Sequence, residues 1–513
     1  MAGVIERYGH QFQPPYSTIN AVNVRPDSSL GGRERGGTRP GLAKFFSEQL
    51  GTAGTRQVRM LNTITWVASA TGVLNSRLMA ISNGKLYREQ PVGTMALAAT
   101  TGGTFNSAVN IHSAERNQLF YIADHAVVPA DSSATYFPKV FDPAANSITA
   151  WSTLVTDGTM PTGCEHICTW RDRIVLAGGT TTPHGVFMSR QSDPYDWDYS
   201  ETDQGAAVSL VLSGAGQIGD VVTALSPHSD NCLILGCASS VWIARGDPTY
   251  GTIDNLSQHL GVVDKGAWCV TPESLFVFLS QDGLYFVPAS CDAGRYPESL
   301  SRERLPRQLL GIDKTVTNIV MAYDLIDRGI HIYLTPITDP GTPSSHWFFD
   351  WEGKTFWKVK HGASDHEPFT LHSRKNFYDD NSGVAMGCRD GYIRRHTHDA
   401  QDDDGTDFSS EIWLGPLGDP TLYSDTSVDE LCVTLDTSSA PVRWSLHAGN
   451  SPQQAYASGA AAEGQFTAGR NNSDHPRIRG QSIYLKLTDD GSGQSWAWES
   501  GYGILSKRGK TRP

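Results

Sequence analysis

Three carboxylates flank two aromatic rings in Asp193-Pro-Tyr-Asp196-Trp-Asp198. Such a set could equip a glycosidase, with one acid and one nucleophile or base, or a Ca²⁺ site built from oxygen ligands. An Asx-Pro turn followed by an aromatic also makes an ordinary loop at a sheet edge, and that role is the expected one. Cys164-Glu-His166-Ile-Cys168 places two thiols and an imidazole on one face if the segment is a strand. Structural zinc wants two spaced ligand pairs, and no second pair follows, so core packing is expected. His396-Thr-His398 is read the same way.

Asp402-Asp-Asp-Gly-Thr-Asp407 superficially resembles a Ca²⁺ loop. Its acids are consecutive rather than alternate, and no Glu stands at the twelfth position, so a solvated linker is expected. Ser280-Gln-Asp282-Gly-Leu-Tyr285 resembles the Asp-box hairpin of sialidase propellers but lacks the full Ser-x-Asp-x-Gly-x-Thr-Trp spacing. No arginine triad or Tyr–Glu pair can be assigned beside it, and turn chemistry is the better reading. No Gly-x-Ser-x-Gly, P-loop or dinucleotide fingerprint occurs. The expectation is a protein that is not an enzyme, with no catalytic, cofactor-binding or metal residue to assign.

The elements that must position these residues repeat. A small or acidic residue, often with Gly, precedes a strand-ending apolar pair in Asn83-Gly-Lys-Leu-Tyr87, His184-Gly-Val-Phe187, Ser240-Val-Trp-Ile243, Asp282-Gly-Leu-Tyr285, Gly353-Lys-Thr-Phe-Trp357 and Asp390-Gly-Tyr-Ile393. A loose period of roughly 40–50 residues with several short strands each is the footprint of β-propeller blades. The chain is expected to be all-β, with a propeller of about seven blades over 58–400. Residues 1–57 read as an extended N-terminal arm with Pro14, Pro15 and five Gly between Ser28 and Gly41. That arm is either a flexible leader or a segment that wraps a neighbour or closes the ring. Residues 401–407 form the acidic linker. Residues 408–513 alternate apolar and polar positions in a small β-sandwich-like domain, ending in a short, mobile basic tail from Lys507 to Arg512. One helical interruption is expected on the surface between Pro297 and Gly311, around Glu298, Arg302, Glu303, Arg304 and Leu305.

With 51 Gly, 27 Pro and 19% charged residues, composition agrees with many short strands and turns. A net charge of −13 argues against a protein that grips nucleic acid, though a negative wall suits one that nucleic acid slides past. Eight Cys in 513 residues imply no disulfide framework. No window approaches a membrane span, and the N-terminus lacks the apolar core of a secretory signal, so synthesis in a cytoplasm is expected.

Several phrases together resemble one family. Gly31-Gly-Arg-Glu-Arg-Gly-Gly-Thr-Arg-Pro-Gly-Leu42, Phe187-Met-Ser-Arg-Gln-Ser-Asp-Pro-Tyr-Asp-Trp-Asp198, Val241-Trp-Ile-Ala-Arg-Gly-Asp-Pro248, Phe278-Leu-Ser-Gln-Asp-Gly-Leu-Tyr285 and Arg477-Ile-Arg-Gly-Gln-Ser-Ile-Tyr-Leu-Lys-Leu487 with Trp496-Ala-Trp-Glu499 occur in order. They look like the tail hub or nozzle proteins of short-tailed bacteriophages. The resemblance implies a structural protein of the virion tail, six copies forming a ring below the portal and its adaptor protein. Needle, fibre or spike proteins would be its other partners. Genomic DNA would pass through the lumen without sequence-specific binding, retained by a gate or plug until ejection. No gate residue can be carried over.

Two other classes remain. A glycan-binding propeller, acting in receptor binding or fibre attachment, would use exposed rings such as Trp197, Trp351 and Trp357. A propeller glycosidase or lyase would use Asp193, Asp196 or Asp198 and lose activity on Asp→Asn substitution.

Overall fold

The computed structural model describes residues 3–510 apart from 15–16, 28, 31–33, 53, 55, 100–102, 126–135, 211–217, 289–295, 301–303, 305, 339–343, 375–381, 420–423, 472–474 and 490–493. Antiparallel sheets of four strands recur along it, at 58–97, 112–150, 164–209, 222–257 and 268–299. A sixth set begins at Thr317 and a seventh at Pro368, making a seven-bladed β-propeller. The first strand of every blade lines the axis, and those of blades 7 and 1 are neighbours, which closes the disc.

The turns are dictated locally. Ser82 pairs with Lys85 across Asn83 and Gly84, whose φ angles of 51° and 65° are the left-handed pair that a two-residue hairpin requires. Between blades lie apolar layers, such as Met60, Ile64, Phe105, Phe120 and Phe141 between blades 1 and 2. Strands alternate their side chains between the two neighbouring layers, so a blade is buried on both faces. That explains runs such as Cys232-Leu-Ile-Leu-Gly-Cys237, buried at every position.

The N-terminal segment is no flexible leader. Gly41–Lys44 pairs with Ile393–Thr397 as the fourth strand of blade 7, so the arm closes the ring. Upstream, Ala21–Val22 lies parallel to Thr355–Val359 of blade 6 and antiparallel to Glu411–Leu417. Through it, blade 6 continues into the C-terminal domain as one nine-stranded sheet. A second sheet around Ser424–Leu435 covers the first with Val428, Leu431 and Val433 facing Trp444, Ile483 and Leu487. No helix among the described residues is long and apolar enough to cross a membrane.

Three expectations are corrected. Residues 401–407 are not a solvated linker: Asp403 is fully buried, held by a guanidinium from the arm. Between Pro297 and Gly311 the described residues form strand Glu298–Ser299 and one 3-10 turn, Arg307–Leu309; Arg302, Glu303 and Leu305 lie outside the described residues. Among the described residues the α-helix is instead Pro452–Ala457, where Ser451 Oγ accepts from Gln454 N and Pro452 needs no partner for its nitrogen. The basic tail is strand as far as Lys510, because Trp498–Lys510 pairs along Ser424–Leu435.

Candidate functional site

All seven inner strands surround an axial cavity of about 480 Å³. Its charged and titratable groups come from blades 1, 2, 3, 5 and 7. The rings of His112 and His166 stack at 5.3 Å, and His112 Nδ1 lies 3.0 Å from the carbonyl oxygen of Glu165, to which it donates. Burial, aided by nearby Lys265, pushes His112 down to about 4; burial and His112 push His166 well below the usual histidine value. His372 bonds Thr63 Oγ1 at 2.8 Å and is likewise pushed by burial to about 4. These imidazoles are neutral hydrogen-bonding groups at pH 7.

Around them the polar groups already hold partners within the protein. His125 Nε2 and Lys265 Nζ lie 3.1 and 3.6 Å from the carboxylate of Glu165. Burial alone would raise Glu165, but these two groups outweigh it and hold the acid below its ordinary range. Thr65 donates its hydroxyl to Glu115, and Arg59 donates to Ser107 O and Gln57 while stacking on Phe369. Burial pushes the Cys168 thiol at the cavity wall up to about 12, which keeps it protonated and poorly nucleophilic.

The residues singled out from sequence fall elsewhere. Asp193, Asp196 and Asp198 each accept from the backbone N–H two residues on, at 2.9 Å, forming successive Asx turns. Between them, Pro194 O takes the indole N–H groups of Trp151 and Trp197 at 3.2 and 3.1 Å. The loop therefore plugs the gap between blades 2 and 3 instead of presenting paired carboxylates. Cys164 and Cys168 pack in different apolar layers, Cys164 with Trp151 and Tyr121, Cys168 with Trp170 and Val175. Asp282 accepts from the Tyr285 hydroxyl at 3.0 Å, inside the tight hairpin that pairs Ser280 with Gly283. Of the three proposed sugar platforms, Trp197 and Trp357 are buried; only Trp351 is partly open, under Lys354 Nζ at 3.3 Å. The expected exposure of Trp197 and Trp357 is thus corrected: both fill layers between sheets.

The densest constellation is one that spacing alone did not reveal. It lies where the arm crosses blades 6 and 7. Arg39 grips Asp403 with two bonds of 2.9 and 2.6 Å, and His361 Nδ1 stands 3.7 Å from the same carboxylate, beyond hydrogen-bond reach. Arg25 meets Asp327 at 2.6 Å, and His398 Nε2 meets the other oxygen at 2.9 Å. Tyr333 links His331 and His396 at 3.0 and 2.9 Å, and His331 Nε2 lies 3.2 Å from Asp324. Because an ionised Asp324 only accepts, His331 Nε2–H donates to it, Tyr333 O–H donates to His331 Nδ1 and His396 Nε2–H donates to Tyr333, which leaves the longer 3.4 Å approach of His396 Nδ1 to the carbonyl oxygen of Pro40 without a hydrogen.

Burial lowers His331 and His396, and pushes His361 to about 4, whereas the bond to Asp327 raises His398. Asp324, Asp327 and His331 have ligand atoms within 4.8 Å of one another, close enough for a metal ion. The donor set argues against one. Asp327 already holds Arg25 and His398, Asp324 Oδ1 caps the N–H of Ile326 at 2.8 Å, and the guanidinium would repel a cation. The network's sequence signals are Arg39-Pro-Gly-Leu42, His396-Thr-His398 and the acidic run at 402–407, but nothing in any of them announces its partner.

No protein family matches the sequence, and no curated protein matches it. Solved structures do. The extracellular domain of a one component system, BT4673, from B. thetaiotaomicron is 11% identical, with a TM-score of 0.44 over 69% of this chain and 40% of that one. This chain thus spans well under half the length of that relative. YCF48 bound to D1 peptide is 11% identical, with a TM-score of 0.38 over 70% of this chain and 98% of that one. YCF48 from Cyanidioschyzon merolae is 9% identical, with a TM-score of 0.40 over 70% and 99%.

Proposed function

We propose that this chain is a structural protomer of a bacteriophage tail, the nozzle or hub whose ring continues the DNA channel below the portal and its adaptor. The observation that carries the reading is mechanical. One nine-stranded sheet joins blade 6 to the C-terminal domain through a strand of the arm, while the same arm closes the propeller. Such a body transmits force without a hinge, and its buried polar groups are spent on internal ties rather than on a substrate.

The axial cavity, about 480 Å³, is of small-ligand size and does not admit a duplex. DNA would therefore pass through a lumen between protomers. A net charge of −13 favours passage over capture there. Needle, fibre or spike proteins would dock on the outer face. The glycan-binding alternative retains only Trp351 of its three candidate rings.

The test is the mass of the purified full-length chain, alone and with its virion neighbours, together with images of the particle. A sixfold ring with an axial lumen is the expected result. A chain that stays monomeric or trimeric in both conditions overturns the reading and directs attention to saccharide arrays.

A further inference from the structure

The last strand, Trp498–Lys510, pairs along one edge only, with Ser424–Leu435. Ahead of it, Ala497 bridges Gly37 of the arm, but beyond that its outer edge has no strand partner among the described residues. Both faces are bare as well. Every residue from Glu499 to Leu505 is exposed, with Tyr502, Ile504 and Leu505 at 54%, 48% and 44%. Ile504 and Leu505 are adjacent, so they point to opposite faces, and neither face covers its side chain. Ladder bonds on one edge, without apolar burial on either face, are weak support for so long a strand. Long exposed apolar edges in solitary proteins are usually shortened or covered.

Charge indicates what covers this one. Residues 498–510 carry three basic residues and one acidic, so the rest of the chain carries −15 of the net −13. Lys507 and Arg508 touch Asp419 and Asp429 yet remain 76% and 55% exposed at their side chains. A basic strand with an apolar centre complements an acidic protein surface, and the surface of this chain's own other parts is acidic.

We propose that Trp498–Lys510 is an assembly strand that docks on a second copy of this chain. Its outer edge adds to the partner's sheet, Tyr502, Ile504 and Leu505 become buried, and Lys507 and Arg508 meet acidic groups at the rim. The receiving surface in this proposal belongs to the acidic remainder of the second copy, which would make the contact heterologous and able to repeat from copy to copy. The proposal rests on the ring reading for closure of the repeat, but not for the contact itself.

The experiment uses the full chain and an Ile504→Lys, Leu505→Lys double variant, with native mass spectrometry across concentration and salt. Amide hydrogen exchange of residues 500–508 is read on the wild type, so the answer does not depend on the variant folding. The expected result is an oligomer that weakens as salt rises, protects these amides, and loses affinity by about tenfold or more in the variant, with its melting temperature unchanged. A variant that assembles like the wild type, or an oligomer whose 500–508 amides exchange freely, overturns the strand proposal and leaves the ring reading standing. A wild type that stays monomeric, alone and with virion neighbours, overturns both. Protection that appears only when a different protein binds a single copy overturns the choice of a second copy as occupant.

Discussion

Arg39 and Asp403 stand 364 residues apart in the chain and meet in a two-bond ion pair from which water is excluded on both sides. Asp403 also accepts from the N–H of Gly362 at 2.9 Å, and the Arg39 guanidinium stacks on Phe408 at 3.8 Å. The pair ties arm, blade 6 and C-terminal domain at one point.

Removing one partner strands the other. Arg39→Met and Asp403→Leu are each expected to cost about 3–5 kcal/mol, because a buried charge is left uncompensated. The double variant should cost much less than the sum. Urea unfolding of the four proteins checks this, and additive losses would mean that the two groups act separately.

Stability should fall as pH falls from about 6.5 toward 4. His112, His361 and His372 have folded values lowered to about 4, so between that value and 6.5 the unfolded chain binds more protons. Their stabilisation is complete above the ordinary histidine value and is lost through this window. Asp403, held below the carboxylate range by Arg39 against the effect of burial, adds a loss at lower pH still. His398 works in the opposite sense: its raised value favours the folded state at low pH and loses that contribution as pH rises through it. The unfolding midpoint at pH 7.5, 6, 5 and 4.5 reads the balance, and His361→Gln should flatten the slope.

Gly41 begins the closing strand with no room for a side chain. A Cβ there would stand 2.2 Å from the carbonyl oxygen of Asp402 and 2.7 Å from that of Ala400, both backbone. Gly41→Ala is expected to cost about 1–3 kcal/mol and to loosen blade 7 selectively. Faster amide exchange in 393–397 than in blade 4 would show it; uniform loosening would refute the selectivity.

The thiols should be silent. All seven described cysteines are buried and unpaired, and burial pushes Cys164, Cys168, Cys237 and Cys388 up to about 12. Alkylation at pH 8 is expected to leave them intact until denaturant is added, and zinc should not raise the melting temperature. Rapid native labelling of Cys164 or Cys168 would contradict the packing described.

Blades are legible in the sequence where the turn is local, as at Asn83-Gly84 and Asp282-Gly283, since two residues there decide the hairpin. Outer strands such as Met95–Leu97, Val208–Ser209 and Glu298–Ser299 are not, being two or three residues long and none of them buried throughout. The acidic run at 402–407 looks solvated because its charge is visible and its cation is not: Arg39 arrives from the far end of the chain. Aromatic residues at a loop, such as Trp197, look like a binding platform for a similar reason, since the layer that receives the ring is built by Trp151 and Tyr121 of the preceding blade.

Residues 41–44 are translated about 350 residues before the strand they complete, Ile393–Thr397. Six blades must therefore be in place, or nearly so, before the disc can shut, and until then the arm has no mate. Joining ends so far apart carries a late entropic cost, the kind that slows folding and leaves an open edge available to the wrong chain. A nascent molecule is thus an open crescent until Gly41–Lys44 finds Ile393–Thr397.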